Sequence, residues 1–280
     1  MENPALRPGP QFLSLSRNQM NPLHKTFSIL ETVVACQGVG ATYSDIIKDS
    51  SLPKSTVHRI LKDLTQLDYL TYDSETKRYF GSLKLAALGA EVMAHFRLSS
   101  HVHPYLVELH QVTGHTTNLG IRNGLVGVFA DKIQSKDFGI KLFSEIGKPF
   151  PLHCTGLGKV LLAYSSVDVV RTLVSQPLEA YTEHTITDPH QLKAELKVIR
   201  EKGYALDNEE ITKGIKCVAA PLVGHNQELQ GAISIAFLAA IENERTIDKE
   251  IAATLKYASL ISESLGSRGA EAGLYDLSTE

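Results

Sequence analysis

From residue 23 onward, apolar side chains fall at Leu23, Phe27, Leu30 and Val34, spacings that place them on one stripe of a helix ending near Gln37-Gly38. Thr42-Tyr43-Ser44-Asp45 then has the S/T-x-x-D/E form. Its hydroxyl can satisfy an early backbone N–H while the acid favours the positive end of a helix, so a second, short helix runs from there to Ser50. Pro53, whose missing N–H costs nothing in a first turn, opens a third helix. Val57, Ile60, Leu61, Leu64 and Leu67 line one of its sides, and Lys54, Ser55, His58, Lys62 and Gln66 the other. The runs 69–72 and 78–80 are strand-like and flank the polar turn Asp73-Ser74-Glu75-Thr76-Lys77, which predicts a β-hairpin. An amphipathic helix alone most often just covers a core. Three helices followed by a hairpin, in this order, predict a winged helix-turn-helix over residues 21–82.

Helical spacing continues over 83–100 with Leu85, Leu88, Val92 and Phe96 on one face and Gly89 and Ala90 allowing close approach. Such a stripe between two compact units needs a cover, and a second copy of the chain supplies one, so a linker and dimerisation helix is expected there. Beyond His103-Pro104 the signals alternate. Tyr105, Leu106, Leu109 and Val112 suit a helix, and 116–122 and 125–133 form a hairpin about Asn123-Gly124. Strand 140–145 and helix 155–164 follow, and Asp188-Pro189 starts a helix with Leu192, Leu196 and Ile199 inward that Gly203 ends. Strands 204–208, 217–222 and 229–237 precede a last helix, 247–265, burying Ile251, Leu255, Ala258 and Ile261. Hairpins with helices gathered to one side predict an α+β domain around an antiparallel sheet.

Composition narrows the function. The 280 residues, 43% hydrophobic and 21% charged, have room for two compact domains. No run approaches the roughly 20 apolar residues that span a bilayer, and residues 1–20, with three prolines, read as a flexible arm rather than a secretion signal. A cytoplasmic protein without membrane contact is expected. Cys36, Cys154 and Cys217 are odd in number and widely spaced, which points away from a disulfide framework or a zinc finger and towards reduced thiols. A formal net charge of -3 argues against coating nucleic acid non-specifically, so any DNA contact must be local.

Local basic and hydroxyl groups are what the third helix offers. Lys54, Ser55, Thr56, His58, Arg59 and Lys62, with Lys77 and Arg78 of the wing, are the candidate contacts to double-stranded DNA.

PKSTVHRIL, PLHCTGLGKVLLA at 151–163, TITDP at 185–189 and GYALDNEEITKGIKCVAAPL at 203–222 together resemble the IclR family of bacterial transcriptional regulators, in order over residues 22–266. The resemblance implies a winged helix-turn-helix, a dimerising linker helix and a GAF-like effector-binding domain, 101–268, followed by a flexible tail, 269–280. It also implies a repressor-type protein working as a homodimer or tetramer, with a small organic acid as effector and no cofactor. GKVLLA, HTIT and DNEE are similar to the sugar-acid branch, of the 2-keto-3-deoxygluconate type. Carried over position by position, the pocket comprises the turn and helix start Thr155-Gly156-Leu157, with backbone N–H groups to offer, together with Asp207, Ile215, Cys217 and Ser234, and Leu142 and Phe150 as apolar walls. Ala236 stands where the family places a second serine, removing one donor.

Other chemistry is open to these residues. Cys217 with His153 or His225 could make a thiol nucleophile and base, and His153, Cys154, Asp207 and Cys217 a metal site, which would suit a small-molecule enzyme or metal-dependent hydrolase with an N-terminal interaction module. Neither spacing nor an orienting third group supports these, so no catalytic or metal residue is assigned. GLGK at 156–159 lacks the P-loop spacing. The Gly156-Leu157 helix start would favour a carboxylate that Asp207 would repel, so the expected ligand is a hydroxylated organic acid whose hydroxyl faces Asp207.

Overall fold

The computed structural model describes residues 21–94, 97–135, 144–225, 228–241 and 244–267. The arm 1–20, the tail 269–280, Leu142 and most of the expected strand 140–145 lie outside these residues, as do the side chains of Val92 and Phe96. The chain forms two compact units, 1–96 and 97–280.

In the first unit, α1 (Pro22–Ala35) starts at Asn21, whose side chain accepts from the His24 amide. A two-residue strand β1 (Ala41–Thr42) leads into α2 (Tyr43–Ser50), where the expected capping box forms: Thr42 Oγ1 accepts from the Asp45 amide, and Asp45 accepts from that of Thr42. Helix α3 spans Lys54–Gln66 with Pro53 as its N-cap. Strands β2 (Leu70–Asp73) and β3 (Arg78–Gly81) pair antiparallel, with β1 on the outer side of β3. Asp73 shapes their turn by accepting from the Glu75 amide and the Thr76 hydroxyl. Helix α4 (Leu83–Ala94) closes the unit.

The core joins Ile29, Leu30 and Val33 of α1 to Ile46 of α2 and to Val57, Ile60, Leu61 and Leu64 of α3. This corrects the expected stripe of α1. Leu23, Phe27 and Val34 are 64%, 47% and 41% exposed, because the helix turns Ile29 and Val33 inward and only Leu30 belongs to both sets. Leu67 caps α3 and is exposed as well. The helix expected over 83–100 is shared between two elements, α4 and α5 (Arg97–Thr113), one in each unit.

The second unit is an α+β fold on a six-stranded, fully antiparallel sheet. Its strands are β4 (Thr116–Asn123), β5 (Val126–Ile133), β6 (Pro149–Pro151), β7 (Ala205–Asn208), β8 (Ile215–Val223) and β9 (Leu229–Leu238), in the order β6-β5-β4-β9-β8-β7. Among the described residues, the α-helices that follow α5 are α6 (Gly156–Ala163), α7 (Val167–Val174), α8 (Pro189–Lys202) and α9 (Glu244–Ser264). The Asp188 cap and the left-handed Gly203 bound α8 where the sequence places them. The helices do not gather on one side. Thr117 reaches back to the Leu106 carbonyl of α5, while its neighbour Asn118 faces the cavity beside the start of α6, so strand alternation puts α5 and α6 on opposite faces. Leu161, Leu192, Leu196, Ile199 and Ala219 form the core shared by α6, α8 and the sheet.

Candidate functional site

On the first unit, α3 shows two faces. Lys54, Ser55, His58, Arg59 and Lys62 are exposed and Thr56 is half-buried, while Val57, Ile60 and Leu61 anchor the helix from behind. The Tyr43 hydroxyl donates to the Lys54 carbonyl over 2.8 Å, locking the start of α3 to α2. No side chain caps α3, and the Thr56 and Val57 amides are both taken by the Pro53 carbonyl. The amides of Lys54 and Ser55 precede the helical ladder and are placed to meet a phosphate. Arg59 forms an exposed i,i+4 pair with Asp63 at 3.3 Å, which a stronger anion can displace. In the wing, Lys77 is exposed, but Arg78 is engaged, donating from Nη1 to the Gly40 carbonyl over 2.7 Å and so bracing β3 against the chain entering β1.

The second unit encloses a cavity of about 60 Å³ against one face of the sheet. Register and alternation assemble it. Asp207 pairs with Cys217 and Cys217 with Ala236, and Ala219 pairs with Ser234 and Ser234 with Asn118, so residues from four strands share a face. Over this floor comes the start of α6. Thr155 is its N-cap, with Oγ1 accepting from the Gly158 amide, and its carbonyl takes the Lys159 amide. That leaves the amides of Gly156 and Leu157, two cavity residues, ahead of the ladder. Gly158 permits the close fit, since a Cβ there would lie 2.5 Å from the Pro151 carbonyl oxygen.

Of the expected pocket residues, Gly156, Leu157, Asp207, Ile215, Cys217 and Ser234 line the cavity, as does Ala236. Phe150 does not. It is fully buried behind the wall, packed against Gly127 and Gly120 and 4.5 Å from the ring of Phe129, the aromatic that does line the cavity. Thr155, which opens the expected turn, lines it too, and Asn118, Phe129, Ser144, Ile211 and Thr212 complete the lining without a counterpart among the expected residues.

The polar atoms here are under-used. Asn118 Oδ1, Ser144 Oγ and Asp207 Oδ2 are buried without a hydrogen-bond partner among the described residues, and all three residues line this cavity. Each is a group that folding leaves for something else to satisfy. Asp207 Oδ1 is taken by the Glu210 amide at 2.8 Å. Burial, opposed by that amide and reinforced by the nearby Glu210 charge, pushes the Asp207 carboxyl up to about 7. Burial, the Asp207 charge and a hydrogen bond between the thiol and the Asp207 carboxyl push Cys217 well above its ordinary range, so it is no ready nucleophile. His153 gives Nε2 to the Glu179 carbonyl and His225 contacts the Gly266 carbonyl. Among the described residues, no group of three or more His, Cys, Asp and Glu side chains could hold a metal ion.

Behind the cavity lies a buried ion-pair cluster that no local spacing announces. Lys159, 1% exposed, places Nζ 2.5 Å from Glu210 Oε1 and 3.1 Å from Glu195 Oε1. Burial alone would push this amine down, but the two carboxylates outweigh it and hold Lys159 charged.

A helix-turn-helix with a wing, joined to an α+β unit that holds a small cavity with unsatisfied polar groups, defines a DNA-binding transcriptional regulator with an effector domain. Residues 22–74 match the IclR helix-turn-helix domain and residues 90–263 the C-terminal domain of bacterial transcriptional regulators of the IclR type. The chain belongs to the IclR family. It is 35% identical over 210 residues to the HTH-type transcriptional regulator XynR of Escherichia coli, covering 75% of this chain and 81% of that one. With the regulator KdgR of the same organism it shares 31% identity over 243 residues, 86% and 91% of the two chains. Among solved structures, the Thermotoga maritima IclR superposes with a TM-score of 0.67 at 31% identity, over 89% of this chain and all of that one. Among the described residues no helix is long and apolar enough to cross a membrane.

Proposed function

We propose that the chain binds a palindromic operator as a homodimer or a tetramer, and that a hydroxylated organic acid of sugar-acid type, seated in the second unit, controls that binding. The observation that carries the ligand half is the pairing, in one cavity, of the free amides of Gly156 and Leu157 with the unpartnered Asp207 Oδ2. The amides and the helix dipole suit a carboxylate, and the buried acceptor suits a hydroxyl. Ser234 stands within the same lining and Cys217 and Ile215 supply its soft wall. A gel shift on the DNA upstream of the coding sequence, with and without D-glycerate, D-gluconate and pyruvate, tests both halves. Operator binding that none of these acids alters would remove the ligand half and leave the DNA half.

For the DNA half, α3 enters the major groove with Lys54, Ser55, Thr56, His58, Arg59 and Lys62 toward phosphates and base edges, and Lys77 and Arg78 follow on the wing. Arg59→Ala is expected to weaken operator binding by about 1–3 kcal/mol and to relax selectivity at one position. Unchanged affinity in Arg59→Ala/Ser55→Ala would take α3 out of the reading role.

Each copy reads one half-site, so two copies held through residues 83–100 read halves separated by a whole number of helical turns. Leu88 of α4 is 49% exposed in the single chain. Leu88→Glu should therefore shift the protein toward monomer in sedimentation at micromolar concentration and weaken operator binding with α3 intact. A monomeric variant that binds the operator like the wild type would contradict this.

A further inference from the structure

Residues 175–188, between α7 and α8, run fourteen residues without a regular element, long for a connection inside a compact unit. Hydroxyls and a ring nitrogen fasten this segment at both ends. At one end the Glu179 carbonyl accepts from His153 Nε2 at 2.9 Å, two residues before the Thr155 cap of α6. Burial holds the His153 ring below its ordinary range, so it stays neutral and can donate this one bond without charge. At the other end the Thr182 hydroxyl donates to the Glu209 carbonyl at 2.7 Å and the Thr185 hydroxyl to that of Glu210 at 2.6 Å. Thr185 Oγ1 also accepts from the amides of Tyr181 and Thr182, at 3.0 and 2.9 Å, which folds the strap onto itself.

Each anchored stretch adjoins residues that line the cavity. His153 leads into the amides of Gly156 and Leu157, and Glu209 and Glu210 lie between Asp207 and the lining residues Ile211 and Thr212. The second stretch needs holding. Glu209 carries a φ of +62°, a conformation that L side chains adopt at some cost, and its Oε2 already accepts from the Gly214 amide at 2.7 Å. The exposed Lys213–Glu183 pair adds little.

We infer that the strap 179–185 sets the aperture of the effector cavity, with Thr182 and Thr185 as positioning residues that hold the 207–212 wall at its distance from the start of α6. This rests on reading the cavity as the effector site, but the strap is tested without any effector. Valine keeps the shape of threonine and removes the hydroxyl, leaving the Glu209 and Glu210 carbonyls without those donors.

The readout is Cys217, which lines the cavity, followed in the full-length protein by N-ethylmaleimide labelling and peptide mass analysis, with amide exchange of 207–212 measured alongside. In Thr182→Val/Thr185→Val, Cys217 labelling and 207–212 exchange should rise at least tenfold. Cys154, fully buried, should label at the wild-type rate. The serine pair Thr182→Ser/Thr185→Ser should return both readouts to near wild type. Wild-type rates in the valine pair would overturn the inference. So would an equal rise at Cys154, since the threonines would then only be stabilising the whole unit. Failure of every acid to bind the wild-type protein would instead remove the effector reading, whatever the labelling shows.

Discussion

Lys159→Ala is expected to destabilise the chain by about 3–5 kcal/mol, because it leaves Glu210 buried beside an empty ammonium position. The geometry sets the size of the effect. Glu210 is 4% exposed, its Oε1 contacts Nζ at 2.5 Å, and its Oε2 already lacks a partner among the described residues. Glu195 would lose less, being nearly a third exposed and open to water. Denaturant unfolding of the full chain measures this. The double change Lys159→Met/Glu210→Leu should recover most of the loss, since replacing both members of a buried pair by apolar groups of similar volume is often neutral. The single variant should also have a distinctive pH dependence. Without the ammonium, Glu210 folds more readily as the neutral acid, so its folded value lies above its unfolded one. The destabilisation is then full above the folded value and shrinks as pH falls towards the unfolded value. A loss of equal size at pH 5 and pH 8 would mean that cavity formation, rather than the orphaned charge, dominates.

Lys159 also shows where reading the sequence stops. GLGK is legible as a phosphate motif that fails, and a failed motif says nothing of the lysine inside it. Its partners lie 36 and 51 residues further on, and nothing in local spacing announces a non-local ion pair. The same limit explains α1. The four-three-four spacing of Leu23, Phe27, Leu30 and Val34 is a valid helical stripe, but a second stripe through Ile29, Leu30 and Val33 competes with it. The packing of α2 and α3 decides between them. Helix α7, Val167–Val174, is hard to read because its valines favour strands by propensity, although Ser166 at its N-cap and Asp168 in its first turn are helix signals.

Signals that are themselves local carried through. The capping box at Thr42, the apolar face of α3, the Asp188 cap and the Gly203 stop each depend on a few consecutive residues, and each element stands where those residues put it. For the cavity, the family likeness located Gly156, Asp207, Cys217 and Ser234 on separate strands and a helix, and strand register brings them onto one face. Phe150, placed on the wall by the family likeness, stands one layer behind the lining. Two glycines opposite its ring let it sink behind Phe129.

Asp207→Ala is expected to weaken binding of a hydroxylated acid such as D-glycerate by about 1.5–3 kcal/mol, roughly ten- to a hundredfold, while sparing operator affinity in the absence of ligand. Calorimetry on the full-length protein reads this directly. Asp207 is 1% exposed, one oxygen is fixed by the Glu210 amide, and only Oδ2 is left to face the cavity. Its pH behaviour then separates two ways of meeting a ligand. Burial raises this carboxyl from 3.8 to about 7, so folding favours the neutral form, and Asp207 destabilises the chain increasingly as pH rises from about 4 to about 7 and no further above that. Asp207→Asn should remove that slope from the unfolding free energy. A ligand hydroxyl donating to Oδ2 favours the ionised acid, so D-glycerate affinity should increase between pH 6 and pH 8 in the wild type and stay level in Asp207→Asn. Affinity that falls over this interval would mean that the protonated acid donates to the ligand, and would place the ligand's carboxylate at Asp207 rather than at the amides of Gly156 and Leu157. Regulation further requires that the bound acid favour one arrangement of the reading heads over another, because equal affinity for both shifts nothing. In Asp207→Ala the concentration of acid needed to change operator binding should therefore rise by the same factor as its dissociation constant.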